Sequence, residues 1–226
     1  MTSSGRRFCR PALRAGLALS LTCTAAALAV PVGEEISYPD LLARLGVATP
    51  DGSSVVVAQV ESIENGVAGR YSPPTNHAEF TTVNILAQSG PATASSHARE
   101  VALRYYGSAS SVTPGIATAY IYETNGYVQA DSLRAATSLA PLPTIGGIKV
   151  MNHSWAGDAG TFNNEILRRM DWVAERDDVI MCIGVPNAGM TGLPLAAASY
   201  NGITVGLANG THISSDTPAG VVNVDM

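Results

Sequence analysis

Two kinds of apolar pattern alternate along this chain. Continuous, largely β-branched runs occur at Ser54–Val60, Gly115–Tyr122, Gly147–Asn152, Val179–Val185 and Gly202–Leu207. A run without polar alternation is what a strand buried on both faces needs, as in a parallel sheet. Between these runs the period changes. Phe162, Ile166, Met170 and Val173 recur at helical spacing and predict a helix over Phe162–Arg176 packed on a sheet. Ala98, Val101, Ala102, Leu103 and Tyr105 give an apolar face to a helix that begins near Ser95 or Ser96, either of which can serve as N-cap. Val128–Leu139 is also expected to be helical, and Tyr38–Leu45 forms a two-turn helix stopped by Gly46. Ser62–Ala92 reads as loop, broken by Tyr71-Ser72-Pro73-Pro74. Strands alternating with helices predict βαβ units, hence an α/β fold with a mostly parallel central sheet and right-handed crossovers. No internal repeat is visible.

The first residues follow a different rule. Arg6, Arg7, Arg10 and Arg14 precede any acid, Leu13–Val30 is apolar and alanine-rich, and Ala27-Leu28-Ala29 fits a small-x-small cleavage site. This pattern predicts a secretory signal peptide over 1–29, followed by a connector over 30–52 and one domain over 53–226. A membrane anchor is the alternative, but the apolar core is short. Neither a twin-arginine motif nor a lipoprotein box at Cys23 fits well. The whole chain of 226 residues carries a net charge of −5. Removal of 1–29 leaves 9 basic against 18 acidic residues, a net charge of −9. An acidic chain without a basic stripe excludes nucleic acid as a partner. After cleavage no membrane contact is expected, so the protein is secreted or periplasmic. It is expected to be a monomer. Only Cys182 remains in the mature chain, so no internal disulfide can form.

Reactive residues of such sheets gather at the carboxyl ends of the strands. Those ends carry Glu61, then Asn152-His153-Ser154, then Asn187, while His97 opens the helix that follows the first strand. An acid, a histidine and a side-chain amide are three parts of an acyl-transfer site: the acid orients imidazole, the base takes a proton, and the amide binds an oxyanion. The positive end of the helix dipole favours neutral imidazole at His97, as a base requires. Glu64 is a second candidate for the orienting acid. His153 is expected to be packed or hydrogen-bonded rather than reactive. His77 and His212 have loop contexts and receive no role. No metal-ligand spacing or Asp-rich loop appears, so no metal and no cofactor is expected.

Five segments in order resemble the subtilisin-like serine peptidases. Val57-Ala58-Gln59-Val60-Glu61-Ser62 resembles the strand that ends in that family's catalytic aspartate. Ser96-His97-Ala98-Arg99-Glu100-Val101-Ala102 resembles S-H-G-T-H-V-A, and Val112-Thr113-Pro114-Gly115-Ile116 resembles V-A-P-x-A. Val150 to Gly157 resembles V-I-N-M-S-L-G-G, and Val185-Pro186-Asn187-Ala188-Gly189 resembles A-A-G-N-x-G. Three departures stand out: Glu61 in place of aspartate, Ala98 and Glu100 in place of glycine and the second histidine, and Pro186 before Asn187. The resemblance implies a three-layer fold, incomplete at the C-terminus because the chain ends before the family's catalytic serine. It implies His97 as base, Glu61 as its orienter and Asn187 as half of an oxyanion hole. Ser154, Trp155, Ala156 and Gly157 would bind a polypeptide substrate as an added strand.

The function so implied is that of a secreted serine endopeptidase using a Ser-His-acid mechanism, its nucleophile missing from this chain. An alternative from another class is a non-catalytic peptide-binding module on the same fold. A sedolisin-like peptidase ranks last, because that family places its glutamate at the helix position His97 occupies here.

Overall fold

In the computed structural model, residues 36–157, 160–185 and 195–206 are described. A six-stranded sheet organises them. Its strands are β1 (Val56–Glu61), β3 (Asn84–Ala87), β5 (Thr118–Glu123), β6 (Ile148–Ser154), β7 (Ile180–Gly184) and β8 (Gly202–Val205). Their order is β3-β5-β1-β6-β7-β8, and every pairing is parallel. A second, two-stranded parallel sheet joins β2 (Arg70–Ser72) to β4 (Thr93–Ala94). The helices are α1 (Tyr38–Leu45), α2 (Ser96–Tyr106) and α3 (Asn163–Asp177).

The alternation of side chains along β1 explains the layering. Val57 joins a core cluster with Ala102 and Tyr106 of α2 and Ala119 and Ile121 of β5. Ala58 and Val60 point the other way, into a cluster with Ile166, Met170 and Val173 of α3 and with Met151 and Ile183. Helices thus cover both faces, and the fold is a three-layer α/β arrangement with a mostly parallel centre. The same period puts Gln59 and Glu61 on the α2 face with Val57. Each large apolar side chain that α3 buries removes roughly 1.5–3 kcal/mol worth of apolar surface from water, an upper bound for a compact unfolded chain.

Several expectations change. Phe162 is not part of the helix's buried stripe: it precedes α3 and is 44% exposed, whereas Ile166, Met170 and Val173 are buried. The expected helix over Val128–Leu139 is absent. One helical turn, Thr124–Gly126, runs into a wide turn over Tyr127–Asp131 and then into bends and turns. Arg134 and Ala136 there adopt left-handed φ values of 53° and 61°, which no α-helix continues. The freed carbonyls are taken up by cations of α3. Arg169 donates to the carbonyls of Leu133, Thr137 and Leu139, and Arg176 to those of Pro141 and Leu142. The stretch Ser62–Ala92, read as loop, contributes β2 and β3. The termini 1–35 and 207–226, on which the expected signal peptide and the expected C-terminal incompleteness rest, lie outside the described residues. Among the described residues no helix is long and apolar enough to cross a membrane.

Candidate functional site

Ser95 caps α2: its hydroxyl accepts the Ala98 amide at 3.2 Å. That fixes the first turn, and with it His97, at the carboxyl end of β1. Glu61, the last residue of β1, is fully buried. Its Oε2 lies 2.7 Å from His97 Nδ1. Its other oxygen, Oε1, accepts from Gln59 Nε2 at 2.8 Å. The imidazole faces solvent on its far side, with the side chain 57% exposed. With the carboxylate ionised, Nδ1–H donates to Glu61 and Nε2 keeps its lone pair. No described residue hydrogen-bonds Nε2.

The electrostatics follow from this geometry. Burial pushes the Glu61 carboxyl up, while the hydrogen bonds from His97 and Gln59 and the His97 charge pull it down. The hydrogen bond to Glu61 raises His97 above its ordinary value of 6.5, burial opposes, and the charges of Glu61 and Glu64 add to the rise. The helix dipole alone favours the neutral ring, but it is worth typically about 0.3–1 kcal/mol at a surface site. A charge-assisted hydrogen bond contributes about 1.5–3 kcal/mol, so the partner decides the direction.

Glu64, the second candidate acid, is engaged elsewhere. It pairs with Arg70 at 2.5 Å, accepts the Ser96 amide at 3.2 Å and meets the Ser96 hydroxyl. It therefore serves the exposed start of α2, its carboxylate also accepting from the His97 backbone amide, and acts on the His97 ring through its charge.

Ser154 lies beside Glu61 in the sheet register and accepts from Asn152 Nδ2 at 2.6 Å. Of the segment that follows, Trp155 is buried, Ala156 exposed and Gly157 half-buried. Ala156 and Gly157 line a cleft of about 300 Å³ with Ser62, Ile63, Glu123 and Asn125, Trp155 forming one wall. His153 points to the opposite face from Glu61. It is fully buried, its Nδ1 accepts from Trp155 Nε1 at 3.1 Å, and its ring meets Tyr127 edge-on. Burial lowers its pKa to about 3, so it stays neutral and unreactive. Asn187 lies outside the described residues. Among the described residues no three His, Cys, Asp or Glu side chains converge as metal ligands would.

The residue that sequence reasoning missed is Gln59. It sits inside the apolar run Ser54–Val60, is fully buried, and contacts Glu61, the Ala98 carbonyl at 3.0 Å and the Tyr106 hydroxyl at 2.7 Å. The available signal was the single amide inside a β-branched strand, two residues before the acid and therefore on the same face.

No family model and no curated protein matches the chain. Five solved chains are similar in structure. One is described as the prenylagaramide maturation protease PagA, with a TM-score of 0.50 and 19% sequence identity. The match covers 73% of this chain and 58% of that one. Identity at that level carries likeness of fold and nothing finer. The comparison therefore corrects the family assignment: the α/β fold with a mostly parallel central sheet stands, and the subtilisin-like assignment does not. The five motifs misled for a physical reason. Buried β-branched runs and serine-capped helix starts recur throughout parallel α/β folds, whatever they catalyse.

Proposed function

We propose that this chain is a peptide-bond hydrolase in which His97 moves the proton and Glu61 orients His97. The observation that carries this reading is the 2.7 Å contact between a fully buried carboxylate and the Nδ1 of a half-exposed imidazole. The contact lies at the carboxyl end of the central strand of a protease-like fold. Glu61 holds Nδ1–H, so Nε2 is the atom that accepts a proton from an attacking hydroxyl and returns it to the leaving amine. In the finer form of the reading the hydroxyl is a serine's, and Asn187 donates to the oxyanion. The polypeptide lies along Ser154–Gly157, adding its backbone to the open end of β6. Export with cleavage after Ala29 belongs to the same reading.

The test is turnover of a quenched-fluorescence peptide library by the protein, by H97A and by E61Q, with labelling by a fluorophosphonate probe. Cleavage that both substitutions abolish supports the dyad, and fluorophosphonate labelling lost in H97A supports serine. Cleavage unaffected by H97A overturns the reading.

One observation favours a second reading. Among the described residues no serine, threonine or cysteine side chain hydrogen-bonds His97. A peptide-binding module that keeps the cleft without chemistry matches that fact. It predicts retention of peptides on immobilised protein with no cleavage.

A further inference from the structure

We propose that Gln59 and Tyr106 form a buried hydrogen-bond chain that locks the Glu61 carboxylate against His97, making both of them positioning residues; the inference rests on the dyad proposed above. Three observations carry it. First, the amide of Gln59 has a defined direction. Its Nε2 donates to Glu61 Oε1 at 2.8 Å and to the Ala98 carbonyl at 3.0 Å, and its Oε1 accepts from Tyr106 Oη at 2.7 Å. Turning the amide over would set its oxygen against two acceptors, so only one orientation satisfies the set. Second, one side chain ties both partners of the dyad. Glu61 is on β1, and the Ala98 carbonyl is in the first turn of α2, next to His97. Gln59 therefore fixes the carboxylate relative to the very turn that carries the imidazole. Third, the chain is anchored in the core. Gln59, Glu61 and Tyr106 are each fully buried, and burial pushes the Tyr106 phenol well above its ordinary value, keeping its O–H as a donor.

The arrangement answers a need particular to glutamate. It has one more rotatable bond than aspartate, so its carboxylate plane is less determined by the strand. Anchoring Oε1 leaves Oε2 as the only oxygen for Nδ1, and through that bond sets which tautomer His97 adopts. The charged and titratable groups that act on the dyad are Glu64 from the loop after β1 and, by way of Gln59, Tyr106 from α2. Of these, only Tyr106 reaches Glu61 through the amide.

The experiment needs no substrate. In ¹⁵N-labelled full-length protein, the His97 Nδ1–H proton should resonate far downfield, and the ring should populate the Nδ1–H tautomer above its pKa. Q59M removes the amide at similar volume. The downfield resonance should be lost and the tautomer should move toward the Nε2–H form that an unpartnered histidine side chain prefers. Y106F removes one hydroxyl, a change small enough to keep the fold if Q59M does not, and should cause a partial loss of the same signal. Melting curves verify that each variant is folded. A folded Q59M or Y106F with the wild-type resonance and tautomer overturns the proposal and makes the chain a packing device only. E61Q keeps the two failures apart: if it retains the downfield resonance, the His97–Glu61 pairing itself is wrong.

Discussion

Two histidines near the carboxyl end of one sheet illustrate how environment divides a single residue type. Val60 lies beside His153 in register, and the next residue, Glu61, beside Ser154. The strand period sends Glu61 toward α2 and His97, and His153 toward Tyr127, Trp155 and the α3 layer. On the first side a buried carboxylate raises the imidazole, and solvent reaches the other nitrogen. On the second side burial acts without a carboxylate, and among the described residues the ring's hydrogen-bond partner is the Trp155 indole, so the imidazole is driven down to about 3. Proximity to strand ends, taken alone, does not mark a reactive histidine. A paired acid and an open nitrogen do.

The largest expected effect tests the first side. E61Q should lower turnover by about 10⁴-fold, because an amide stabilises the wrong imidazole tautomer, while H153F should leave turnover of the folded protein within a few-fold. Equal losses in steady-state kinetics would dissolve the contrast. The pH dependence has the matching form. On the proposed reading activity needs neutral His97, so it should be lost as pH falls through a value above 6.5, since the hydrogen bond to Glu61 raises it.

Stability should respond with opposite sign at the two sites. His153 has a folded pKa depressed to about 3 from 6.5. Its contribution is present above 6.5 and is lost as pH falls, at about 1.4 kcal/mol per pH unit. His97 is raised, so its contribution is complete below 6.5 and is lost as pH rises through the folded value. Urea unfolding of wild type and H153F between pH 5 and 7 should differ by that slope. Parallel curves would mean that His153 is hydrated or charged in the folded state.

A smaller effect concerns the indole. Trp155→Phe removes the donor to His153 Nδ1 and should cost about 1 kcal/mol by thermal melting, with His97 unchanged in its titration. The smallest is Glu64→Gln, which withdraws a through-space charge. It should lower the His97 pKa slightly in an NMR titration, without moving the downfield Nδ1–H resonance. A shift as large as that of E61Q would make Glu64 the operative acid.

Much of this was legible in the chain. The central strands and the α2 and α3 helices follow from apolar runs and helical spacing, and Glu61 and His97 from their places at a strand end and a helix start. What escaped had local causes. β3 is a four-residue edge strand with Asn84 and Ala87 exposed, too short and too polar to give a period. The 128–139 stretch has helical composition, but its path is set by Arg169, thirty or more residues downstream, and by left-handed residues that are not glycine. Gln59 could be seen as odd in its run, but not as a link, because Tyr106 is 47 positions away in sequence.

The strand order has a consequence for the newly made chain. β1 sits between β5 and β6, and both are synthesised long after it. While the ribosome works through the intervening residues, Val55-Val56-Val57-Ala58 waits with both backbone edges open, the kind of segment that seeks another strand to join. Gln59 and Glu61 interrupt that run with an amide and a charge, which is how natural sequences restrain self-association. The residues that anchor the proposed dyad are thus also the ones that break the apolar run of an unpaired β1.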